Sequence, residues 1–378
     1  MVPRFTQARR DVAMLLRGLT GRTPPPLVTR PPRPAAAPPR ADAARHVVID
    51  AITRETADAV TLWLRDPAGG ALAFTPGQFF TIEATIAGQR VRRAYSASSD
   101  GRDPARAAIT VKRVPGGRMS TYLTTTVGVG DVLRLLGPSG DFTLPPAAGP
   151  RHVVAIAGGS GITPIMAIIR ATLATDAATR VALLYGNRDR AAIIFADALA
   201  DLAARHPDRL QVVHVLDDAG GPLTAPRLAA QLDQLAPADS LDAAVEFLVC
   251  GPEPMMAAAR GALAARDVAP AQIREERFFA PRAAAVTAAQ PVTIRRGGVT
   301  TRAIVRPGDT VLEAGLAAGV PLKLSCAMGG CGACAVTLVD GAVTMDEPNC
   351  LTAAERARGL VLACVARPTA PCTVEAPA

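Results

Sequence analysis

Three cysteines close together and a fourth far downstream constrain this chain more tightly than any other feature. Cys326, Cys331 and Cys334 form C-x4-C-x2-C, and Cys364 follows after 29 intervening residues. That is the plant-type [2Fe-2S] spacing. Three thiolates from one loop converge only if the chain folds back within a few residues. Gly329, Gly330 and Gly332 permit that turn and leave N–H groups to face the sulfurs. Zinc is the main rival, but zinc sites favour paired C-x2-C knuckles, and only one such pair is present. Cys350 and Cys372 read as small buried hydrophobes. Seven cysteines without a secretory signal favour a reducing compartment, so the cytoplasm is the expected location.

A chain of 378 residues has room for two or three domains around this ligand set. The longest uncharged run, Val153 to Ile169, is broken by Gly158, Gly159, Gly161 and Pro164, which argues against a membrane span. The net charge of +8 is concentrated at the start: residues 1–45 carry nine arginines and two aspartates. The remainder is near neutral, with neither a basic aromatic face nor a zinc-finger spacing, so no nucleic-acid partner is expected. Phe5 to Leu19 reads as a short amphipathic helix and Pro24 to Pro39 as an extended proline- and arginine-rich arm. The plainer reading is a docked helix or a leader; the alternative is a basic anchor making peripheral contact with an anionic membrane or acidic partner.

From His46 the pattern is that of short strands: His46–Ile49, Ala59–Leu64, Phe79–Ala84, Ala108–Arg113 and Val132–Leu136. Gly, Pro and Asp separate them, which predicts an antiparallel barrel or sandwich. After Arg151 strand segments Val153–Ala157, Val181–Tyr185, Leu210–Leu216 and Phe247–Cys250 alternate with helical segments Pro164–Leu173, Phe195–Ala204, Ala225–Leu235 and Pro254–Ala265. That alternation predicts a parallel α/β sheet. The expected division is an N-terminal arm (1–45), a β-barrel (46–148), an α/β domain (149–280), an alanine-rich linker (281–291) and a cysteine-bearing domain (292–378).

Val153–Ala157 runs into Gly158-Gly159-Ser160-Gly161-Ile162-Thr163-Pro164 and then a helix. A glycine-rich turn between strand and helix lets backbone amides approach a pyrophosphate at the helix N-terminus. Tyr185-Gly186-Asn187-Arg188-Asp189-Arg190 ends the next strand, where an adenosine ribose would lie. Arg188 and Arg190 suit a 2′-phosphate, whereas Asp189 suits a free 2′-hydroxyl, so NADH and NADPH both remain open. The last strand delivers Cys250-Gly251-Pro252.

With Arg93-Ala94-Tyr95-Ser96 upstream of these motifs, residues 46–378 resemble the ferredoxin–NADP reductase family, and specifically its members with a fused C-terminal ferredoxin. These are reductases of multicomponent oxygenases, such as those acting on phenylacetyl-CoA and ketosteroids. The resemblance implies a β-grasp ferredoxin domain after the two nucleotide domains. It implies that Arg93 pairs with flavin phosphate, Tyr95 packs on the isoalloxazine and Ser96 hydrogen-bonds near N5. Val111-Lys112-Arg113 and Gly116-Gly117-Arg118-Met119-Ser120 would hold the FAD pyrophosphate, with amides from Gly117 to Ser120 as donors. Gly158, Gly159, Gly161 and Thr163 would bind NAD(P)H, helped by Asn187 and Arg188. Cys250, Gly251 and Pro252 would lie by the nicotinamide, with Cys250 and Ser96 closest to the chemistry. Phe278 or Phe279 would cover the flavin ring unless both are ordinary core residues.

Electron counting explains the arrangement. NAD(P)H gives two electrons as hydride and a [2Fe-2S] cluster takes one at a time, so a flavin must stand between them. The expected acceptor is a separate oxygenase, hydroxylase or desaturase. A redox-sensing module, or a stand-alone flavin reductase (diaphorase) with a vestigial cluster, are the alternatives. The four histidines form no catalytic constellation.

Overall fold

The computed structural model describes residues 44–145, 149–236, 244–278, 287–346, 349, 351 and 353–377. The helix expected at Phe5–Leu19, the proline-rich arm, Phe279, Cys350 and most of the alanine-rich linker lie outside the described residues.

The β-patterned segment forms six antiparallel strands: β1 (Arg45–Thr56), β2 (Ala59–Arg65), β3 (Phe79–Ile86), β4 (Gln89–Ser96), β5 (Arg106–Lys112) and β6 (Val132–Ser139). Their order is β4-β3-β6-β1-β2-β5. A bridge between Ala97 and Ile109 brings the two edges together and closes the barrel. Val47, Ile49, Leu62, Leu64, Phe80 and Ile109 fill its core. β4 has a polar sequence that hides its strand character. Its charges are cross-strand partners: Arg92 pairs with Glu83 of β3 at 2.5 Å, and Glu83 also meets Arg134 of β6. The stretch expected to be a pyrophosphate loop is a glycine turn followed by helix α1 (Arg118–Thr125).

The α/β segment contains β7 (His152–Gly158), β8 (Arg180–Asn187), β9 (Leu210–Leu216), β10 (Val245–Cys250) and β11 (Ile273–Glu276), all parallel, in the order β11-β10-β7-β8-β9. β7 is an unbroken apolar run because helices cover both faces of the sheet. One face packs on α2 (Ile162–Thr175) and α3 (Ala196–Arg205), through residues such as Ile165 and Leu199. The other packs on α4 (Ala225–Leu235) and α5 (Glu253–Ala264), through Leu228 and Met256. Strand order reverses between β7 and β10, so their carboxyl ends frame the crevice where such sheets bind ligands. Ile-Arg-Glu-Glu does not announce β11 in the sequence. As an edge strand it tolerates charges, and Arg274 and Glu275 find partners in Glu246 and Arg260.

The cysteine-bearing segment is a mixed sheet: β12 (Gln290–Arg296), β13 (Val299–Val305), β14 (Ala335–Asp340), β16 (Leu360–Leu362) and β18 (Cys372–Ala376), in the order β13-β12-β18-β14-β16. β12 and β18 are parallel and the other pairs antiparallel. A separate ribbon joins β15 (Val343–Met345) to β17 (Ala366–Pro368). The sheet grasps α6 (Val311–Ala317), whose Val311, Leu312 and Ala314 are buried. Thr310 starts that helix with a capping box: its hydroxyl accepts from the Glu313 amide, and its own amide donates to the Glu313 carboxylate at 2.9 Å. Among the described residues no helix is long and apolar enough to cross a membrane.

Candidate functional site

Barrel closure sets Tyr95 and Ser96 at the end of β4, with Arg93 on the open side. Arg93 is exposed and makes no ion pair among the described residues; its guanidinium folds back to donate to the Arg92 carbonyl at 2.6 Å. An arginine at a strand end without an ion-pair partner is ready for a phosphate. Tyr95 is partly buried, and burial pushes its phenol well above the usual range, with Arg93 opposing, so the ring stays neutral. Ser96 is buried and its hydroxyl donates to Glu276 Oε2 at 3.0 Å.

The pyrophosphate segment differs from expectation at one donor. The Gly117 amide already donates to the Val114 carbonyl at 2.8 Å. Ser120 Oγ accepts from the Val114 amide at 3.1 Å and pins the same turn. Gly117 is the N-cap of α1 and has no side chain to cap it, so first-turn amides such as those of Met119 and Ser120 remain for a ligand. The Arg118 side chain donates to the Ile86 carbonyl. The side chains of Val111 and Met119 are in the barrel core, which leaves only their backbone for a cofactor. Lys112 lies 4.0 Å from Asp58, and Arg188 of the α/β segment is 3.9 Å from the same carboxylate.

The turns after β7 and β10 interlock. A Cβ on Gly161 would stand 2.1 Å from the Cys250 carbonyl oxygen, and one on Gly158 would be 2.7 Å from Pro252 and Met255. Gly251 is equally crowded by Met255 and Gly158. Tyr185 donates its hydroxyl to the Gly159 carbonyl at 2.9 Å, and Thr163 donates to the Ser160 carbonyl at 3.1 Å. The amide ends of the helix are thereby held toward the crevice. At the end of β8, Asn187 is buried; it lies near enough to favour ionisation of Tyr185, yet neither of its amide atoms completes a hydrogen bond. An orphaned buried amide in a nucleotide crevice fits a ligand partner. Asp189 is engaged within the protein, where its carboxylate accepts from the Ala192 amide at 2.8 Å and caps a short 3₁₀ turn. Arg188 and Arg190 are exposed, and Arg190 approaches His214, whose imidazole is held low by burial and by that charge.

Glu276 carries no sequence signal, yet the fold puts it at the centre of the site. β10 and β11 run in register, so Glu276 stands beside Cys250 while bonding Ser96. Burial is the main cause that pushes its carboxyl up to about 8, with Asp141 and Cys326 adding and the Ser96 hydrogen bond opposing. The side chain keeps some surface access but is ringed by protein. The folded protein holds this proton up to about 8, whereas the unfolded chain releases it near 4.5, so stability falls as pH rises through that window. Glu276→Gln is uncharged throughout; it should match the parent's melting temperature at about pH 5 and exceed it at about pH 9. A difference that stays constant across that range would mean the carboxyl is ionised throughout. Cys250 is fully buried, and burial, then Glu276, raises its thiol well above the usual range. It is a neutral thiol and not a nucleophile.

The four expected ligands come together. The neighbouring thiols of Cys331 and Cys364 outweigh burial and hold the Cys326 thiol well below the usual range, and Cys364 in turn lies near Cys334. The loop turns through Gly329 at φ +74 and sends its amide to Cys364 Sγ at 3.2 Å, while the Met328 amide reaches Cys326 Sγ at 3.5 Å. Amides aimed at sulfur favour thiolates, the state a cluster requires. The site is lopsided: Cys326, Cys334 and Cys364 are buried, whereas Cys331 is partly exposed and Gly330 is at the surface. Cys372, away from this loop, is buried in the sheet core as a small hydrophobe. Phe278 is 37 % exposed.

Three sequence-family profiles match in order: an oxidoreductase FAD-binding domain over residues 46–144, an oxidoreductase NAD-binding domain over 155–261 and a 2Fe-2S iron-sulfur cluster binding domain over 294–369. The chain is 35% identical over 348 residues to the ferredoxin reductase component of 3-ketosteroid-9-alpha-monooxygenase from Mycobacterium tuberculosis, covering 86% of this chain and 94% of the relative. It is 33% identical over 336 residues to one of the subunits of 1,2-phenylacetyl-CoA epoxidase from Escherichia coli, covering 85% and 94%. Phthalate dioxygenase reductase has the same fold, with a TM-score of 0.70 at 23% identity, covering 90% of this chain and all of that one.

Proposed function

This chain belongs to the ferredoxin–NADP reductase family with a fused C-terminal [2Fe-2S] ferredoxin, whose members are reductase components of oxygenase systems, and from that premise we propose how its own residues divide the work and which nucleotide it prefers. FAD, NAD(P)H and a [2Fe-2S] cluster are its cofactors, and it is an NAD(P)H-dependent oxidoreductase that passes electrons to an oxygenase. Bound FAD supplies the ability to take two electrons as hydride and release them singly.

Arg93 pairs with the flavin phosphate, and the first turn of α1 receives the pyrophosphate with Lys112 nearby. Tyr95 lies against the flavin ring. Ser96, whose hydroxyl donates to Glu276, hydrogen-bonds near the flavin N5. Glu276 holds its proton at neutral pH, so the pocket gains no buried negative charge opposite an electron-rich ring. Gly158, Gly159, Gly161 and Thr163 fix the turn that receives the nicotinamide nucleotide's pyrophosphate, and Asn187 completes its hydrogen bonds on that ligand. Cys250, backed by Gly251 and Pro252, closes the far wall as a neutral thiol and keeps water from the transfer. Cys326, Cys331, Cys334 and Cys364 carry the cluster.

The nucleotide preference follows from Asp189. Its Oδ1 is engaged in capping, which turns the carboxylate toward its own loop, while Arg190 is exposed and Arg188, though 3.9 Å from Asp58, is largely exposed at the same turn. NADPH is therefore the preferred donor. The commitment of Asp189 is the observation that carries this choice.

Anaerobic titration of the loaded protein tests the whole reading. Flavin and iron–sulfur bands should bleach together, and NADPH should be the more effective donor. Replacing Arg188 and Arg190 together by alanine should raise KM for NADPH by about tenfold or more and leave KM for NADH within about twofold. Equal loss for both nucleotides would remove the 2′-phosphate assignment. Flavin bleaching with a silent cluster would leave a diaphorase.

A further inference from the structure

The barrel and the cluster loop meet at a hydrogen bond that spans 244 residues of sequence: Thr81 Oγ1 on β3 donates to the main-chain carbonyl of Ser325 at 2.7 Å. Both ends are dry, with Thr81 2% and Ser325 8% exposed, and the next residue is the cluster ligand Cys326 at 3%. β3 and β4 pair with Phe79 opposite Ser96 and Thr81 opposite Ala94. Directly opposed residues share a face and alternate residues return to it, so Thr81 and Ser96 project from the same side of the sheet. The loop that begins the cluster is thus laid beside the strand carrying Tyr95 and Ser96.

Nothing in β3 itself calls for a hydroxyl here. Valine has the same shape and an equal fit to a buried strand. What the hydroxyl adds is a partner for a carbonyl that would otherwise be buried unpaired, at a cost that favours the undocked loop.

We propose that Thr81 is a positioning residue: it latches the Ser325–Cys326 peptide to the barrel and thereby sets the rate at which the flavin reduces the cluster. The inference rests on the reading that Arg93–Ser96 holds the flavin. In the step it governs, reduced flavin loses one electron and the oxidised cluster gains it. No bond in the protein forms or breaks, and the flavin proton goes to solvent as flavin oxidation completes.

The test uses full-length, cofactor-loaded protein and the variants Thr81→Val and Thr81→Ser. Rapid mixing with NADPH follows the flavin and cluster bands separately, and hydrogen–deuterium exchange follows the amides of residues 321–334. In Thr81→Val the flavin phase should stay within about twofold of the parent while the cluster phase slows by about tenfold or more. Exchange in 321–334 should quicken, exchange in 152–187 should not, and Thr81→Ser should restore both readouts. A cluster phase and loop exchange unchanged in Thr81→Val would overturn the latch. So would flavin and cluster phases that slow together with no rescue by serine, since that marks a general packing defect. A parent protein that reduces its flavin but never its cluster would instead overturn the relay, even if the exchange data showed the loop held by Thr81.

Discussion

Cys364→Ala should separate the two halves of the reaction: reduction of ferricyanide by NADPH persists, while reduction of cytochrome c falls by at least about 100-fold. Cys364 is the ligand proposed from outside the loop, placed just after β16, and its sulfur receives the Gly329 amide at 3.2 Å. Removing it leaves three thiolates on a loop whose fold-back was directed at the missing sulfur. The flavin and nucleotide segments have their own cores and do not depend on it. Visible and electron paramagnetic resonance spectra of the purified variant give the check. Full-intensity cluster signals would mean that another residue completes the site.

Gly161→Ala should abolish most nucleotide-driven flavin reduction, by about 100-fold, through displacement and not through any lost side chain. A methyl group there would be 2.1 Å from the Cys250 carbonyl oxygen and 2.4 Å from its carbon. Both are backbone atoms at the end of a central strand, so no rotamer change can relieve the clash. Either the nucleotide turn or the Cys250-Gly251 turn must move, and overpacking of this kind costs about 1–3 kcal/mol. Stopped-flow flavin reduction and a thermal melt together test it. A variant with a lowered melting temperature but parental flavin reduction would show that the turns yield without disturbing the nucleotide.

What is legible in the sequence is whatever is encoded locally. Cys326, Cys331 and Cys334 advertise themselves because ligand geometry demands a short loop, and Gly158 to Pro164 does so because strand, turn and helix are consecutive. The parallel sheet is legible from the apolar run of β7. What stays hidden depends on distant contacts. Glu276 is a plain acidic residue in Ile-Arg-Glu-Glu until the fold sets it against Ser96, 180 residues away. β4 is absent from the strands read in the sequence because its arginines look solvent-facing until Arg92 is matched by Glu83 on another strand. Asp189 reads as suited to a free 2′-hydroxyl, and the capping bond its carboxylate takes from the Ala192 amide shows only in the fold. The Gly117 amide reads as a ligand donor until the fold supplies its turn partner, the Val114 carbonyl.

The uneven exposure of the cluster ligands gives the molecule a direction. Cys326 is sealed against the barrel, while Cys331 and Gly330 face outward. A conductor sheathed at one end and bare at the other discharges where it is bare. An oxygenase docked over Gly330 would meet the cluster at its most exposed ligand, Cys331. Dioxygen, which takes electrons from any uncovered carrier, would meet protein at Cys326 and an opening beside Cys331, which a docked partner would close.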